Sequence, residues 1–195
     1  MEVTETTAAD VAFVRDELLQ LNQVIALTER TAGQAEDDFP WRLSLQGFCG
    51  LRQQRLDELV AAAHAGSEPL QRAAVRALGK VGGEDAIPAL VDALRSPSVN
   101  VRQEAVWALS EVGAEAVVPA LAHVLGGTHA PTRQAAAWAL ARIGAVSAVA
   151  ALAEAAGRET SAPVLAAIVA ALRFVDTPEA REAAARADKL PAASQ

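Results

Sequence analysis

The 195-residue sequence has no tyrosine and only four phenylalanines and three tryptophans. Any core must therefore be assembled from small aliphatic side chains. Cysteine occurs once, at Cys49, which excludes an intramolecular disulfide and a cysteine-rich metal site. Beside Phe48 it reads as a buried small hydrophobe rather than a nucleophile. Lysine is confined to Lys80 and Lys189 and the formal net charge is −7. General phosphate-backbone binding needs clustered Lys and Arg, so a nucleic-acid partner is not expected. No apolar run approaches the roughly 18 residues of a membrane span. Glu2, Glu5, Asp10, Arg15, Asp16 and Glu17 precede any long apolar run, unlike a signal peptide. The expected location is the cytoplasm, with no membrane partner.

What the chain does have is a hydrophobic content of 52%, mostly Ala, Leu and Val. Ala and Leu are strong helix formers, so the composition predicts closely packed helices. The acidity is uneven. Residues 1–66 hold 11 acids against 5 bases, whereas residues 67–195 hold 13 against 12.

Within the second region a repeat is plain. Gln71–Gly82 reads QRAAVRALGKVG, Arg102–Gly113 reads RQEAVWALSEVG and Arg133–Gly144 reads RQAAAWALARIG, at 31-residue spacing. Ala86–Leu94 (AIPALVDAL) and Val117–Leu125 (VVPALAHVL) follow the first two copies, and a third copy runs through Ser147–Ala155. Leu70, Ala74, Ala77, Leu78 and Val81 form one helical stripe, and Ile87, Leu90, Val91 and Leu94 form another. Each unit is thus predicted to be a helix pair. Gly82, Gly113 and Gly144 are expected as left-handed C-caps. Ser67 and Ser98 are expected as N-caps, and Pro88 and Pro119 near the start of the second helices. One pair cannot bury its apolar face alone, so the prediction is a solenoid of stacked pairs.

The pattern V-R-x-x-A-x-x-A-L-x-x-[VI]-G followed by [IV]-P-x-L resembles the short HEAT-like repeats of the phycobilisome-lyase type. Val101, Arg102, Ala105, Ala108, Leu109, Val112, Gly113, Val118, Pro119 and Leu121 carry it. The resemblance is clear over residues 67–157. Leu56, Leu59, Val60 and Ala63 resemble a second helix, and Ala167–Val175 a first helix with one residue inserted. It implies an all-α, right-handed α-solenoid of about four to five units and a role in binding other macromolecules. It also raises an alternative, a subunit or chaperone of a chromophore (bilin) lyase. A third reading, a HEAT-like nucleic-acid-binding protein, conflicts with the acidic charge. The family often has Asp after the glycine. Gly83, Ala114 and Ala145 stand there instead, which removes the partners of any Asp–Arg ladder through Arg102 and Arg133.

The organisation read from the chain is an N-terminal helical cap over residues 1–50, a repeat array over 51–176, and a capping helix with a tail over 177–195. In the cap, Val11, Val14, Leu18, Leu21 and Ile25 make a 3-4 stripe within a helix at 7–30. This stripe either packs across the first repeat or supports a weak homodimer. Residues 31–40, with Glu36, Asp37 and Asp38, read as an acidic loop. A helix then resumes at Trp41, with Gly47 and Gly50 as candidate interruptions. Thr177-Pro178-Glu179 has the order of an N-cap and first turn.

No catalytic constellation, metal-ligand spacing or cofactor-binding loop emerges. His64, His123 and His129 show no metal-ligand pattern, and the glycines belong to the repeat. Two rows remain as candidate partner-binding sites. Arg76, Trp107 and Trp138 share one position on the first helices, suited to an extended partner. Asp92, His123 and Glu154 share one position on the second helices, beside Ala89, Ala120 and Ala151. That row would line a shallow, mildly acidic groove suited to a basic helix or peptide. The function expected is a non-catalytic interaction scaffold for a protein or peptide.

Overall fold

The computed structural model describes residues 7–32 and 41–189; side chains are described throughout except at 8, 28–32, 41–46, 48, 114 and 115. It contains ten α-helices and, among the described residues, no strand: α1 (Ala8–Ala32), α2 (Trp41–Ala65), α3 (Glu68–Val81), α4 (Ile87–Ala93), α5 (Val99–Val112), α6 (Ala114–Leu125), α7 (Ala130–Ile143), α8 (Val149–Arg158), α9 (Ala162–Val175) and α10 (Pro178–Ala187). Short 3-10 turns at Gly83–Ala86 and Val146–Ala148 lead into α4 and α8.

The helices stack as five consecutive pairs. The first helices α3, α5, α7 and α9 pack in series, as do the second helices α4, α6, α8 and α10. The repeat spacing dictates this. Ala74, Ala105 and Ala136 are fully buried, as are Leu78, Leu109 and Leu140, and Leu90, Leu121 and Leu152. Each leucine contributes about 1.5–3 kcal/mol by leaving water, but only if the neighbouring pair covers it. The chain is an all-α solenoid. Spacing between first helices is set by small residues. At Gly79 an added Cβ would stand 2.7 Å from both Cα and Cβ of Ala108, so α3 and α5 meet there almost backbone to backbone.

The ends extend the same logic. In α1, Val11, Leu18 and Leu21 are buried, Val14 and Ile25 are half-buried, and the helix packs on α2 and α3. The Asn22 side-chain amide donates to the Val81 carbonyl (3.1 Å), while Arg52 donates to Asn22 (2.8 Å) and to Asp85 (2.7 Å), tying α1, α2 and α3 together. Thr7 and Asp10 close the start of α1 reciprocally, the Thr7 amide donating to the Asp10 carboxylate (2.7 Å) and the Asp10 amide to the Thr7 hydroxyl (3.3 Å). The Thr7 amide, with the Thr7 hydroxyl also donating at 2.7 Å, holds the Asp10 carboxyl below its ordinary value. At the other end α10 starts as expected, with the Thr177 hydroxyl accepting from Ala180 N–H at 3.1 Å.

Several local expectations need correction. Gly82 is right-handed (φ −79°, ψ −23°), and the positive φ falls one residue later at Gly83. Glycine is required at 82 for space: a Cβ would lie 2.3 Å from that of Ala86. Of the three expected glycine caps only Gly144 is left-handed (φ 65°, ψ 22°), its N–H donating to the Leu140 carbonyl at 3.0 Å, whereas Gly113 lies at φ 128°, ψ 140°. Ser98 caps α5 through Val101 N–H (3.4 Å), whereas the Ser67 side chain accepts no cap bond. Pro88 sits in the first turn of α4, but Pro119 lies inside α6, because that helix begins at Ala114 with no preceding 3-10 turn. α6 therefore lacks the bond a nitrogen at that position would donate. α1 continues through Ala32, two residues into the expected loop, and α2 is unbroken at Gly47 and Gly50. The Glu36-Asp37-Asp38 run and residues 190–195 lie outside the described residues. Cys49 is exposed rather than buried.

Candidate functional site

Around Trp107, the residues Ala105, Val106, Ala108 and Leu109 are all buried; around Trp138, so are Ala136, Ala137, Ala139 and Leu140. Positions 107 and 138 are thereby forced outward from α5 and α7, leaving the two indoles 54% and 47% exposed. They line one hollow of about 550 Å³ between these helices, together with Arg102, Gln103, Gln134 and Arg142.

Trp107 is held in place. The Arg142 guanidinium lies over its ring at 3.4 Å from the centroid, a cation–π contact worth about 0.5–1 kcal/mol at an exposed site. Arg142 Nε and Nη2 reach the Ser110 hydroxyl at 3.4 Å, and that hydroxyl donates to the Trp107 carbonyl at 2.7 Å. Sequence reasoning missed Arg142. Its separation from Trp107 is one repeat plus one helical turn, so the repeat length combined with i+4 spacing could have found it.

Arg76 does not extend the aromatic row. It donates from Nε and Nη2 to both carboxylate oxygens of Glu104 at 2.7 Å, and Glu104 also lies 3.7 Å from Arg72. The hydrogen bond to Glu104 holds the Arg76 pKa above its ordinary value. The row is thus an ion pair at α3 and an aromatic surface at α5 and α7.

The second row is present in register. Asp92, His123 and Glu154 are all exposed on α4, α6 and α8, beside the buried Ala89 and the half-buried Ala120 and Ala151. Its acids each have an arginine partner, Asp92 with Arg95 at 3.0 Å and Glu154 with Arg158 at 3.2 Å. His123 borders a hollow of about 670 Å³ with Arg95, Thr128, His129 and Thr132. There His129 Nδ1 meets the hydroxyl of the buried Thr132 at 2.7 Å. Among the described residues, no group of three or more His, Cys, Asp and Glu side chains is placed to hold a metal.

Without aspartates after the repeat glycines, the repeat arginines reach loop carbonyls. Arg102 Nη1 donates to the carbonyls of Ser96 (2.8 Å) and Pro97 (2.9 Å), and Arg133 Nη1 to those of Gly127 (3.1 Å) and Thr128 (2.9 Å). Gln71, at the same repeat position, donates to the His64 carbonyl at 3.3 Å. Arg133 additionally grips Glu159 with two bonds of 2.8 Å, in a pair whose side chains are only 14% and 4% exposed. The Arg133 hydrogen bond, with the Ser161 and Thr160 amides adding to it, holds the Glu159 carboxyl below its ordinary value against the effect of burial.

HEAT repeats match residues 56–132 and 100–173. No curated protein matches the chain. Among solved structures, a designed armadillo repeat protein in complex with the peptide (KR)4 is similar, at 19% identity over 92% of this chain and 89% of that one, with a TM-score of 0.39. The repeat match spans more than half of the sequence and covers the stacked pairs that bury the repeated leucines and alanines; the chain belongs to the HEAT repeat family.

Proposed function

We propose that the chain is a non-catalytic interaction scaffold that holds a segment of a partner protein against the hollow between α5 and α7. The observation that carries this reading is the pair of tryptophans, half-exposed at one repeat position and lining one groove. Large aromatics that are partly sheltered and rigidly placed supply contact area at little entropic cost. In a chain with so few aromatics, two of them facing solvent side by side favour a binding role. The Asp92–His123–Glu154 face is the weaker candidate for a basic segment, since its acids already have arginine partners. The chromophore-lyase alternative has no residue of this chain behind it.

The test is affinity capture with the wild type beside a Trp107→Ala/Trp138→Ala variant whose helicity and thermal midpoint match the wild type. A partner bound by the wild type and lost by the variant is the expected result. A partner retained by both would move the site to the second-helix face and sink the groove reading.

A further inference from the structure

We infer that the α5–α7 groove selects an acidic, extended segment, one that places Asp or Glu beside a proline or aromatic residue. The inference rests on the reading of this groove as a docking site and adds the chemistry of its occupant. It comes from how the arginines are partnered. Of the arginines whose side chains the structure describes, Arg15, Arg52, Arg55, Arg72, Arg76, Arg95, Arg133, Arg158, Arg173 and Arg181 each lie within 4.0 Å of a carboxylate. Only Arg102, Arg142 and Arg186 among them do not, and the first two line the same groove as both tryptophans.

In a chain of net charge −7, carboxylates are plentiful, so two unpaired guanidiniums in one groove are unusual company. Among the described residues, no Asp or Glu lines the hollow. Glu104, on the same helix as Trp107, is turned away into Arg76 and Arg72. Arg102 uses only Nη1 on the Ser96 and Pro97 carbonyls, and Arg142, stacked over Trp107, has as its hydrogen-bond partner only the Ser110 hydroxyl at 3.4 Å. Both therefore keep N–H groups in the fork geometry that suits a carboxylate.

The remaining lining fits an extended main chain. Gln103 offers a side-chain amide from α5, and Gln134 lines the α7 side, its Nε2 donating to the Pro163 carbonyl at 3.5 Å. The indole of Trp138 and the exposed part of Trp107 suit proline or aromatic side chains, as in other aromatic-lined grooves that take extended peptides. Long-range repulsion from the acidic N-terminal region does not oppose this, because fields decay over about 8 Å at physiological ionic strength. The repeat region itself is close to neutral.

The test is selection from a displayed library of random linear peptides on the full chain. Selection is run on the wild type, and the recovered peptides are then titrated against Arg142→Gln, Arg142→Lys and Trp107→Ala/Trp138→Ala. The expected result is enrichment of Asp or Glu next to Pro or an aromatic. The recovered peptides should bind Arg142→Gln about tenfold more weakly, with Arg142→Lys retaining part of the affinity. Peptides without acid enrichment that are still lost on the tryptophan variant would overturn this inference and leave the docking groove standing. Acidic peptides indifferent to both tryptophans would overturn both, as would a selection that recovers nothing.

Discussion

Arg102 and Arg133 hold the same place in successive repeats and make the same contact, a guanidinium donating to two carbonyls of the preceding loop. Beyond that they part. Arg133 reaches across to Glu159 in the next loop and locks α7 to the α8–α9 connection, whereas Arg102 has no carboxylate and turns its free edge to the tryptophan groove. One repeat position thus serves as a joint in one unit and as part of a recognition surface in the other. In a solenoid, identical positions acquire different roles through whichever residue the neighbouring repeat supplies.

The largest effect should come from breaking the joint that has the extra partner. Glu159→Ala leaves a sheltered guanidinium without its carboxylate and strands the Thr160 and Ser161 amides. The expected loss is about 3 kcal/mol, as for other buried pairs deprived of one member. Because stability in a stacked array is local to neighbouring units, the loss should concentrate in α9 and α10. Amide hydrogen exchange resolved by helix checks this. Equal loss of protection in α3 and α9 would mean that Arg133–Glu159 does not act as a local joint.

The same pair gives a pH signature. The Glu159 carboxyl is held below its ordinary value in the folded chain, so its ionised form favours folding. That contribution is complete above the ordinary glutamate range and is lost as pH falls through the lowered folded value. The stability gap between wild type and Glu159→Gln should therefore be full at neutral pH and shrink on acidification. Denaturant titrations at several pH values measure it, and a gap that grew toward low pH would exclude the assignment.

The fold was legible in the sequence because the repeat places the same small residues in the core of every unit. Leu78, Leu109 and Leu140 needed only their spacing to be recognised. The aromatic row was legible for the same reason, since Trp107 and Trp138 occupy an outward position among buried neighbours. What escaped was pairing across repeats. Arg76 was expected on the binding surface, but Glu104 lies 28 residues away and binds it. Arg142 was overlooked because its partner Trp107 belongs to the unit before it. Such separations combine one repeat with a helical offset, and several side chains meet each criterion. Side-chain packing chooses among them. Gly82 shows a further gap: its need for a missing Cβ arises from Ala86 in the following turn rather than from its own dihedral angles.

The smallest expected effects compare the same joint contact where no carboxylate assists it. Arg102→Ala removes two charge-assisted bonds to loop carbonyls that are partly reached by water, for an expected loss of about 1 kcal/mol. Gln71→Ala removes a single neutral bond of 3.3 Å, for a loss of about 0.5 kcal/mol. Urea unfolding of the two variants should rank them in that order, both well below Glu159→Ala. If Arg102→Ala cost as much as Glu159→Ala, the loop carbonyls rather than the ion pair would be what holds each joint. The division between a structural and a recognising arginine would then collapse. If instead Arg102→Ala proved nearly neutral while weakening acidic-peptide binding, the division would be sharper than the loop contacts alone imply.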